Sequence, residues 1–280
     1  MSQPIHSELI EVNEPAGRWA WLSLREIWQH RELVYYLARR DVAVRYKQTA
    51  VGVLWVVLQP LLLAGVFSVF LGLLTRSIPH EGVPYPAFVL TGMTMWLFLA
   101  QALSKISMST VDNSALIAKI RFPRLVLPLT SVLQPAVDFI VAFLVLIAIL
   151  VAYGVVPPIR IVLAPAILLL GAATVLGLGV WFAAIAVRYR DVKQIIPFLI
   201  QAMVFVTPII YPLSVVPSHY RILYALNPFV AVLEGFRWVM LPHAPSPGLL
   251  LLVSVTMSAI LIVTGLLYFA RAESRFADII

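Results

Sequence analysis

The 280-residue sequence contains no cysteine and few charged residues, and both absences restrict what the protein can be. Without cysteine, disulfides and thiolate metal sites are excluded. Charged residues make up 12% of the chain and apolar residues 61%, whereas soluble domains carry about 25% and about 45–50%. A folded soluble protein of this length cannot hide so much apolar surface, so lipid must solvate much of it.

Catalytic and metal-binding motifs are also missing from the sequence. It contains no GxxxxGK[ST] phosphate loop, so this chain should not hydrolyse ATP by itself in the P-loop manner. It contains no HExxH or other metal-ligand spacing, and its five histidines are scattered through polar segments. No catalytic constellation of Ser or Asp lies within the apolar runs. We therefore predict that the protein is not an enzyme and holds no metal or cofactor of its own.

Long runs without charge predict where the chain crosses the membrane. The first run, Val51–Leu74, has 24 residues and would reach about 36 Å as a helix, enough to cross a hydrocarbon core of ~30 Å. The second run ends before Lys105, and the third contains a single acid. The sequence thus predicts an all-α integral membrane protein with a transmembrane domain over residues 51–271. Its six predicted spans are 51–74, 85–103, 125–153, 161–187, 195–211 and 248–270.

The basic residues of the connecting segments give the orientation. Sixteen Lys and Arg residues fall in the N-terminal arm, the loops after spans two and four, and the tail, against four in the alternate loops. By the positive-inside rule, both termini are cytoplasmic, including the arm (residues 1–50) and the tail (residues 272–280). The net charge of +7 therefore reports topology, and we expect no nucleic-acid partner.

The N-terminal arm contains a segment that is neither loop nor span. Trp21, Leu24, Ile27 and Trp28 recur at helical spacing among charges. This pattern predicts an amphipathic helix over Trp19–Gln48 that lies in the membrane interface, with its Trp rings at headgroup depth. A cytoplasmic helix packed on the bundle is the alternative.

A second unusual segment lies on the outer side, between spans five and six. Its two apolar-rich stretches, Pro217–Leu226 and Phe229–Leu241, are too short to cross a bilayer. Asn227-Pro228 between them is a natural helix start, because Asn can cap free amides and Pro has no amide to lose. We predict a pair of short re-entrant helices whose ends are shielded by protein.

Three ionisable residues stand out in the apolar and outer segments. Asp138 is the acid well inside the third span, where it could serve a proton relay or be a buried, hydrogen-bonded structural residue. Glu234 and Arg237 stand three apart on the outer helix and could form a local ion pair. We favour structural roles for all three.

The cytoplasmic segment Asp112–Arg124 (DNSALIAKIRFPR) is a candidate docking site. Asn113 or Ser114 can cap a short helix, and Pro123 ends it. Such an amphipathic helix, held between two spans, is suited to a groove on a soluble partner, although a simple surface turn has a similar pattern. The residues predicted to dock are Asn113, Ser114, Leu116, Ile117, Lys119, Ile120 and Arg121.

Six segments spread through the chain carry a resemblance to a known family. They are LARRDVAVRYKQTAVGVLWVVLQPLL (Leu37–Leu62), KIRFPR (Lys119–Arg124), VRYRDVKQ (Val187–Gln194), TPIIYPLSVVP (Thr207–Pro217), LNPFVAVLEGFRWVML (Leu226–Leu241) and FARAESRFADII (Phe269–Ile280). Together, and in this order, they resemble the permeases of type-2 ABC exporters for O-antigen, capsule and teichoic-acid chains. Each motif alone is weak, but the ordered set covers residues 20–280.

The resemblance implies a half-transporter in the bacterial inner membrane. Two copies of this chain would form a twelve-span homodimeric channel, and two copies of a separate P-loop ATPase subunit, which bind ATP and Mg²⁺, would dock below it. The docking helix would be Asp112–Arg124, and the re-entrant helices would lie within Pro212–Leu241. The implied substrate is a polysaccharide linked to undecaprenyl diphosphate. It would cross the membrane lipid from the cytoplasmic leaflet to the outer leaflet.

Two sets of residues are candidates for contact with such a substrate. Aromatic faces can stack on sugars, and guanidinium groups can grip phosphate bidentately. For each set a structural role is the alternative, either helix packing and lipid contact or ordinary positive-inside charge. The aromatic candidates are Trp55, Phe67 and Phe70 of span one and Phe198, Phe205 and Tyr211 of span five and its end. The diphosphate candidates are Arg39, Arg40, Arg45 and Lys47.

Three other functions fit part of the pattern. The nearest is a type-2 ABC exporter for a drug or another lipid. An ion-coupled secondary transporter should have paired intramembrane ionisable groups and repeated halves, whereas this sequence has one intramembrane acid and no repeat. A membrane enzyme for polyprenyl lipids should have polar catalytic residues clustered at an interface.

Overall fold

The structure is a computed structural model that describes residues 28–47, 52–74, 82–120, 122–189 and 191–279. Side chains are described for the same residues except 52, 53, 71–74, 218, 222 and 274–279. Across these ranges the fold is all-helical, as predicted, with short 3₁₀ turns between helices and no strand.

The helices are numbered here in chain order. They are α1 (Arg31–Lys47), α2 (Gly52–Leu74), α3 (Tyr85–Asp112), α4 (Ser114–Lys119), α5 (Val126–Ser131), α6 (Leu133–Ala152), α7 (Ala164–Arg188), α8 (Val192–Val206), α9 (Arg221–Ala225), α10 (Pro228–Met240) and α11 (Leu249–Ile279). The 3₁₀ turns are Ile159–Leu163, Leu213–Val215 and Ser218–Tyr220.

Among the described residues, four stretches are long and apolar enough to cross a membrane. The first stretch consists of α3 and α4, and the second of α5 and α6. The third consists of α7 and the 3₁₀ turn before it, and the fourth is most of α11. The protein is therefore a multi-pass membrane protein. Two shorter apolar helices lie within α2 and α8, namely Leu54–Phe70 and Val192–Val206. The four long stretches are Tyr85–Lys119, Val126–Ala152, Ile159–Arg188 and Leu249–Glu273.

Helix α3 is longer than the span predicted over its first part. It runs from Tyr85 to Asp112 and so continues past Leu103, where the predicted span ended. Lys105 therefore lies inside the helix and not in a loop. The predicted boundary assumed that a charge ends a span. A lysine near the membrane boundary does not have to, because its aliphatic stem can carry the ammonium to the headgroups.

Helix α3 is also the centre of the bundle, packed against α2, α6, α7 and α10. Its residues up to Leu103 are buried on nearly every side, which agrees with the absence of charge in that part of the sequence. Aromatic contacts continue from it across the core: Phe98 lies 5.5 Å from Phe139, whose ring lies 5.6 Å from Phe236 of α10. The core therefore joins α3, α6 and α10.

Small residues let α7 and α11 approach closely. A Cβ on Gly177 would lie 2.8 Å from the backbone nitrogen of Ile262, and one on Gly265 would lie 2.7 Å from the carbonyl oxygen of Gly177. The hydroxyls of Thr174 and Ser258 meet at 2.6 Å across the same interface. Glycine contacts and interhelical hydrogen bonds of this kind are typical of helix pairs within membranes.

Between α8 and α11 the chain forms short helices, where two were predicted. Helix α9 has 5 residues, and α10 has 13, which span about 20 Å. Nearly every side chain of α10 is buried, because the helix packs against α3, α7 and α11. The predicted cap is confirmed, since the side-chain oxygen of Asn227 accepts a hydrogen bond from the amide of Phe229 at 3.1 Å.

The arm helix α1 has one face packed on the bundle and another exposed. Leu37 is buried in a cluster with Val126 and Leu127 of α5. The exposed side carries Tyr35 and Tyr36, and the exposed Trp28 lies just before the helix. The packed face fits the alternative of a helix packed on the bundle, and the exposed aromatic residues fit the alternative of a helix in the membrane interface. Residues 19–27 and 48 of the predicted interfacial helix lie outside the described residues.

Candidate functional site

A buried polar cluster joins the arm to the bundle at the cytoplasmic end predicted by the charge pattern. Asp138, in the second turn of α6, accepts hydrogen bonds from the Tyr46 hydroxyl and from Nε2 of Gln134, the latter at 2.6 Å. The Arg45 guanidinium lies 3.4 Å from the same carboxylate. We call Arg45, Tyr46, Gln134 and Asp138 the inner cluster. It gives Asp138 the buried, hydrogen-bonded role that was one of its two predicted alternatives.

The inner cluster also favours the protonated form of the Tyr46 hydroxyl. Burial, and then the hydrogen bond to Asp138, raise the pKa of the Tyr46 hydroxyl. Tyr46 therefore stays protonated at physiological pH and donates to the carboxylate. The side chain of Asp138 is only 5% exposed, so these protein groups replace most of the water that would otherwise contact it.

Arg40 links α1 to the predicted docking segment. Its guanidinium forms an ion pair with Asp41 at 2.9 Å and donates to the side-chain oxygen of Asn113 at 3.0 Å. The Asn113 side chain in turn donates to the carbonyl of Ser109 at 2.8 Å. Asn113 precedes α4, but its side chain forms no capping hydrogen bond with that helix, so of the two proposed caps the one by Asn113 is wrong. The side-chain amide of Asn113 instead bonds to Ser109 of α3 and to Arg40 of α1.

The docking segment presents only part of its predicted apolar face. Leu116 and Ile117 pack toward the cluster around Leu37, whereas Lys119 and Ile120 are exposed. Of the seven predicted docking residues, the two central apolar ones therefore stabilise the bundle. Arg121 lies outside the described residues.

The four cations proposed for a diphosphate fall into two pairs. Arg40 and Arg45 are paired with carboxylates of the chain and are partly exposed, with 40% and 33% of their side chains accessible. Arg39 and Lys47 are exposed on α1. Arg45 thus belongs to the inner cluster, whereas the side chains of Arg39 and Lys47 are exposed on the surface of the chain.

On the predicted outer side, Arg237 joins α10 to the end of α8. Its guanidinium is fully buried and lies 2.8 Å from Glu234, which confirms the predicted ion pair. It also donates to the carbonyls of Pro208 at 2.6 Å and Ile209 at 2.5 Å. A buried arginine with this many acceptors is a structural clamp, and it fixes where the chain leaves α8.

Four of the six aromatic candidates are exposed on the surface of the single chain. Trp55 and Phe70 of α2 are 49% and 64% accessible, and Phe198 and Phe205 of α8 are 72% and 69% accessible. Phe67 instead packs on the core. Tyr211 donates to the carbonyl of Phe205 at 3.0 Å and meets the hydroxyl of Tyr224 at 3.0 Å. The four exposed candidates on α2 and α8 are thus available to a partner or a ligand.

Sequence reasoning missed two polar residues that share the exposed face of α8. Gln194 and Gln201 are exposed and alternate with Phe198 and Phe205 at helical spacings of four, three and four residues. We call these four residues the α8 stripe. The opposite face of α8, with Val192 and Ile196, is buried. The sequence signal was Gln201 within the predicted fifth span and Gln194 directly before it.

A cavity of about 440 Å³ lies beyond the end of α8. Three tyrosines line it together with apolar side chains, and two of their hydroxyls are engaged with each other. Its volume is within the usual range for small-ligand sites, about 300–1,000 Å³. The lining residues are Tyr211, Val215, Val216, Pro217, Tyr220, Leu223 and Tyr224.

Comparison with known proteins gives both a family and curated relatives. The ABC-2 type transporter family matches residues 32–241. The O-antigen export system permease protein RfbA of Myxococcus xanthus is 28% identical over 91% of this chain and 98% of that protein. An RfbA permease of Klebsiella pneumoniae is 27% identical over 89% and 95%, respectively. The polysialic acid transport protein KpsM of Escherichia coli is 23% identical over 85% and 93%.

Proposed function

Because the chain belongs to the ABC-2 type transporter family, we propose that it is the permease subunit of an exporter for polysaccharide linked to undecaprenyl diphosphate. Its relatives are named for the export of O-antigen and the transport of polysialic acid. The match spans nearly the whole length of these relatives, so the assignment does not depend on a shared fragment. ATP and Mg²⁺ are bound by a separate ATPase subunit.

The observation that carries this function is the α8 stripe. Sugars offer flat apolar faces and many hydroxyls, and a surface for them needs aromatic rings next to hydrogen-bonding groups. Phe198 and Phe205 provide rings, and Gln194 and Gln201 provide amides that both donate and accept. Lipid contact alone gives no reason for the exposed amide of Gln201 within the apolar part of α8, because hydrocarbon offers it no partner.

The passage forms between two copies of the chain in this proposal. A single chain exposes apolar and aromatic residues on α2 and the stripe on α8, and neither face is closed by other described helices. A homodimer would enclose both faces and create a polar route across the membrane. Trp55 and Phe70 of α2 then lie along the passage or at the dimer contact.

The topology of the proposal has six spans, with both termini in the cytoplasm. Helix α2 has 23 residues, about 34 Å of helix, and contains no charge, which supports its crossing the bilayer. Helix α8 has 15 residues and needs the chain up to Tyr211 to complete a span. Helices α9 and α10 then act as re-entrant elements, since α10 is too short to cross but is shielded from lipid by the bundle.

The ATPase docks on the α4 segment. Lys119 and Ile120 are exposed there, and Leu116 and Ile117 fix α4 on α1 and α5. ATP-driven closure of the ATPase dimer would move α4, and the contact between Arg40 and Asn113 would carry that movement to α1. The exposed cations Arg39 and Lys47 lie on the same helix, where they can attract the diphosphate of the incoming lipid.

Deletion of the gene tests the function. We expect lipid-linked polymer to accumulate in the cytoplasm and surface polysaccharide to be lost, with both restored by the wild-type chain. Normal surface polysaccharide in the deletion strain would contradict the proposal. Loss of a drug-resistance or lipid-export phenotype instead, with polymer unchanged, would support the neighbouring ABC exporter function.

A further inference from the structure

We propose that Lys105 of α3 binds the diphosphate of the polyprenyl carrier at the cytoplasmic entrance of the passage. The inference rests on the proposed function, and it assigns a ligand contact to a residue that sequence reasoning counted only as loop charge. Four structural observations support it: the depth of Lys105, the pairing of the charges around it, its exposure and its position beside α8.

The depth of Lys105 matches the phosphate plane of the inner leaflet. It is twenty residues from Tyr85 at the outer end of α3, and this distance corresponds to a rise of about 30 Å. In the proposed topology Tyr85 lies at the outer boundary of the hydrocarbon core, which is also ~30 Å thick, and this places the Cα of Lys105 at the inner boundary. A lysine stem that extends from there brings the ammonium among the headgroups.

Two acids within electrostatic reach of Lys105 already have cationic partners. Asp41 forms its ion pair with Arg40 at 2.9 Å, and Asp138 lies 3.4 Å from Arg45. Lys105 is within electrostatic reach of both carboxylates and of Arg45. Within the described ranges, however, Lys105 makes no ion pair of its own. Its positive charge is therefore available to an external anion.

One further acid influences Lys105 from its own helix. Asp112 lies seven residues later, about 10 Å along α3, and is exposed at the helix end. Between two exposed charges at this separation, screening by water and salt leaves little interaction. Asp112 thus does not replace a direct anionic ligand.

The side chain of Lys105 is exposed between two structural elements. Met108, three residues on, packs against the cluster of Val192 and Ile196 in α8. On the other flank, Asp41 belongs to α1 and Asp138 to α6. Lys105 therefore lies on α3 between α8, which carries the stripe proposed to contact sugar, and the arm helix. An anion bound here would place its attached chain beside α8.

The chemistry of this site favours a diphosphate over an ordinary phospholipid. An ammonium is a compact charge with three donors, and attraction grows with the negative charge of the ligand. A diphosphate at the headgroup plane carries more negative charge than a phosphodiester and has more acceptor oxygens. A phospholipid headgroup shares the phosphate chemistry, so the experiment must separate these two sources.

The test measures binding to the purified full-length chain in phosphatidylcholine nanodiscs. Radiolabelled farnesyl diphosphate serves as the probe for the carrier headgroup, and native mass spectrometry counts phosphatidylglycerol molecules retained in a parallel preparation. The variants are Lys105→Ala and Lys105→Arg. The matched control is Arg188→Gln, which removes one exposed positive charge at the end of α7 on the same side.

We expect Lys105→Ala to weaken farnesyl diphosphate binding about tenfold, as for loss of a charge-assisted contact. Lys105→Arg should retain most of the affinity, and Arg188→Gln and phosphatidylglycerol retention should not change. Unchanged probe binding by Lys105→Ala would overturn the inference. Equal loss of phosphatidylglycerol would also overturn it, because Lys105 would then be a general lipid anchor.

Failure of this inference can be separated from failure of the proposed function. If the deletion strain accumulates polymer while Lys105→Ala binds the probe normally, the protein exports polysaccharide but Lys105 is not a diphosphate ligand. If the deletion strain exports polymer normally, the function itself is wrong whatever Lys105 binds.

Discussion

Tyr46 at the end of α1 donates a hydrogen bond to Asp138, which follows it by 92 positions in α6. The Arg45 guanidinium lies beside the same carboxylate. These contacts attach the arm helix to the third apolar segment. Arg40 connects that helix to Asn113 beside α4, so α1 joins the segment proposed for ATPase docking to the bundle.

The first prediction concerns the hydrogen bond between Tyr46 and Asp138. Tyr46→Phe removes the hydroxyl and leaves one buried carboxylate oxygen without that donor, so we expect a loss of about 1–2 kcal/mol of stability. The thermal unfolding midpoint of the purified protein in detergent should fall accordingly. Tyr35→Phe, at a ring that is 67% exposed, is the control and should leave the midpoint unchanged. Equal midpoints for both variants would show that the hydrogen bond contributes nothing.

The second prediction concerns the close approach of α3 to the clamp on α10. A Cβ on Gly92 would lie 2.6 Å from the carbonyl oxygen of Ile209 and 2.8 Å from Nη2 of Arg237. Gly92→Ala should therefore displace the clamp and destabilise the protein by about 1–3 kcal/mol.

A matched control for this glycine lies in α2. A Cβ on Gly65 would meet nothing within 4 Å, so Gly65→Ala should be neutral or stabilising by up to about 1 kcal/mol. Thermal unfolding of the two variants side by side checks the difference. If Gly92→Ala were as stable as Gly65→Ala, the packing described for Arg237 would be incorrect.

The third prediction tests coupling through α4. Lys119→Pro places a proline at the last residue of this six-residue helix, where it should distort the surface offered to the ATPase. In a reconstituted complex, we expect ATP hydrolysis to continue while polysaccharide export falls. Lys119→Ala is the control for loss of the charge alone. Normal export by the proline variant would remove the docking assignment.

The fourth prediction concerns topology, and the absence of cysteine makes it simple to test. Ser114→Cys lies at the start of α4, and Ser246→Cys lies in the exposed segment before α11. In intact spheroplasts, a membrane-impermeant maleimide should label the second position but not the first. Permeabilised cells should show labelling of both. Labelling of both from one face would contradict the six-span arrangement.

The helical class and the main apolar segments could be predicted because membrane crossing requires long runs without charge. The ends of these segments could not. The span predicted to end at Leu103 belongs to a longer helix, since α3 continues to Asp112. Charge marks where a side chain meets water or headgroups, whereas the helix itself ends where backbone hydrogen bonding stops.

The roles of individual polar residues were predictable only where both partners are local. Glu234 and Arg237 are three residues apart on one helix, and their ion pair was confirmed. The partners of Asp138 come from α1, far away in the sequence, so spacing could not identify them. The cap proposed for Asn113 failed for the same reason, since Arg40 of α1 occupies its side-chain oxygen.

The most direct test of the account replaces single residues with a photoreactive benzoylphenylalanine in cells that export polymer. Phe198 belongs to the α8 stripe, whereas Leu169 of α7 is 70% exposed on another helix and is the control. Illumination should link polysaccharide to the chain at position 198 and only lipid at position 169. If both positions captured lipid alone, or captured polysaccharide equally, the α8 stripe would not line the route of the glycan.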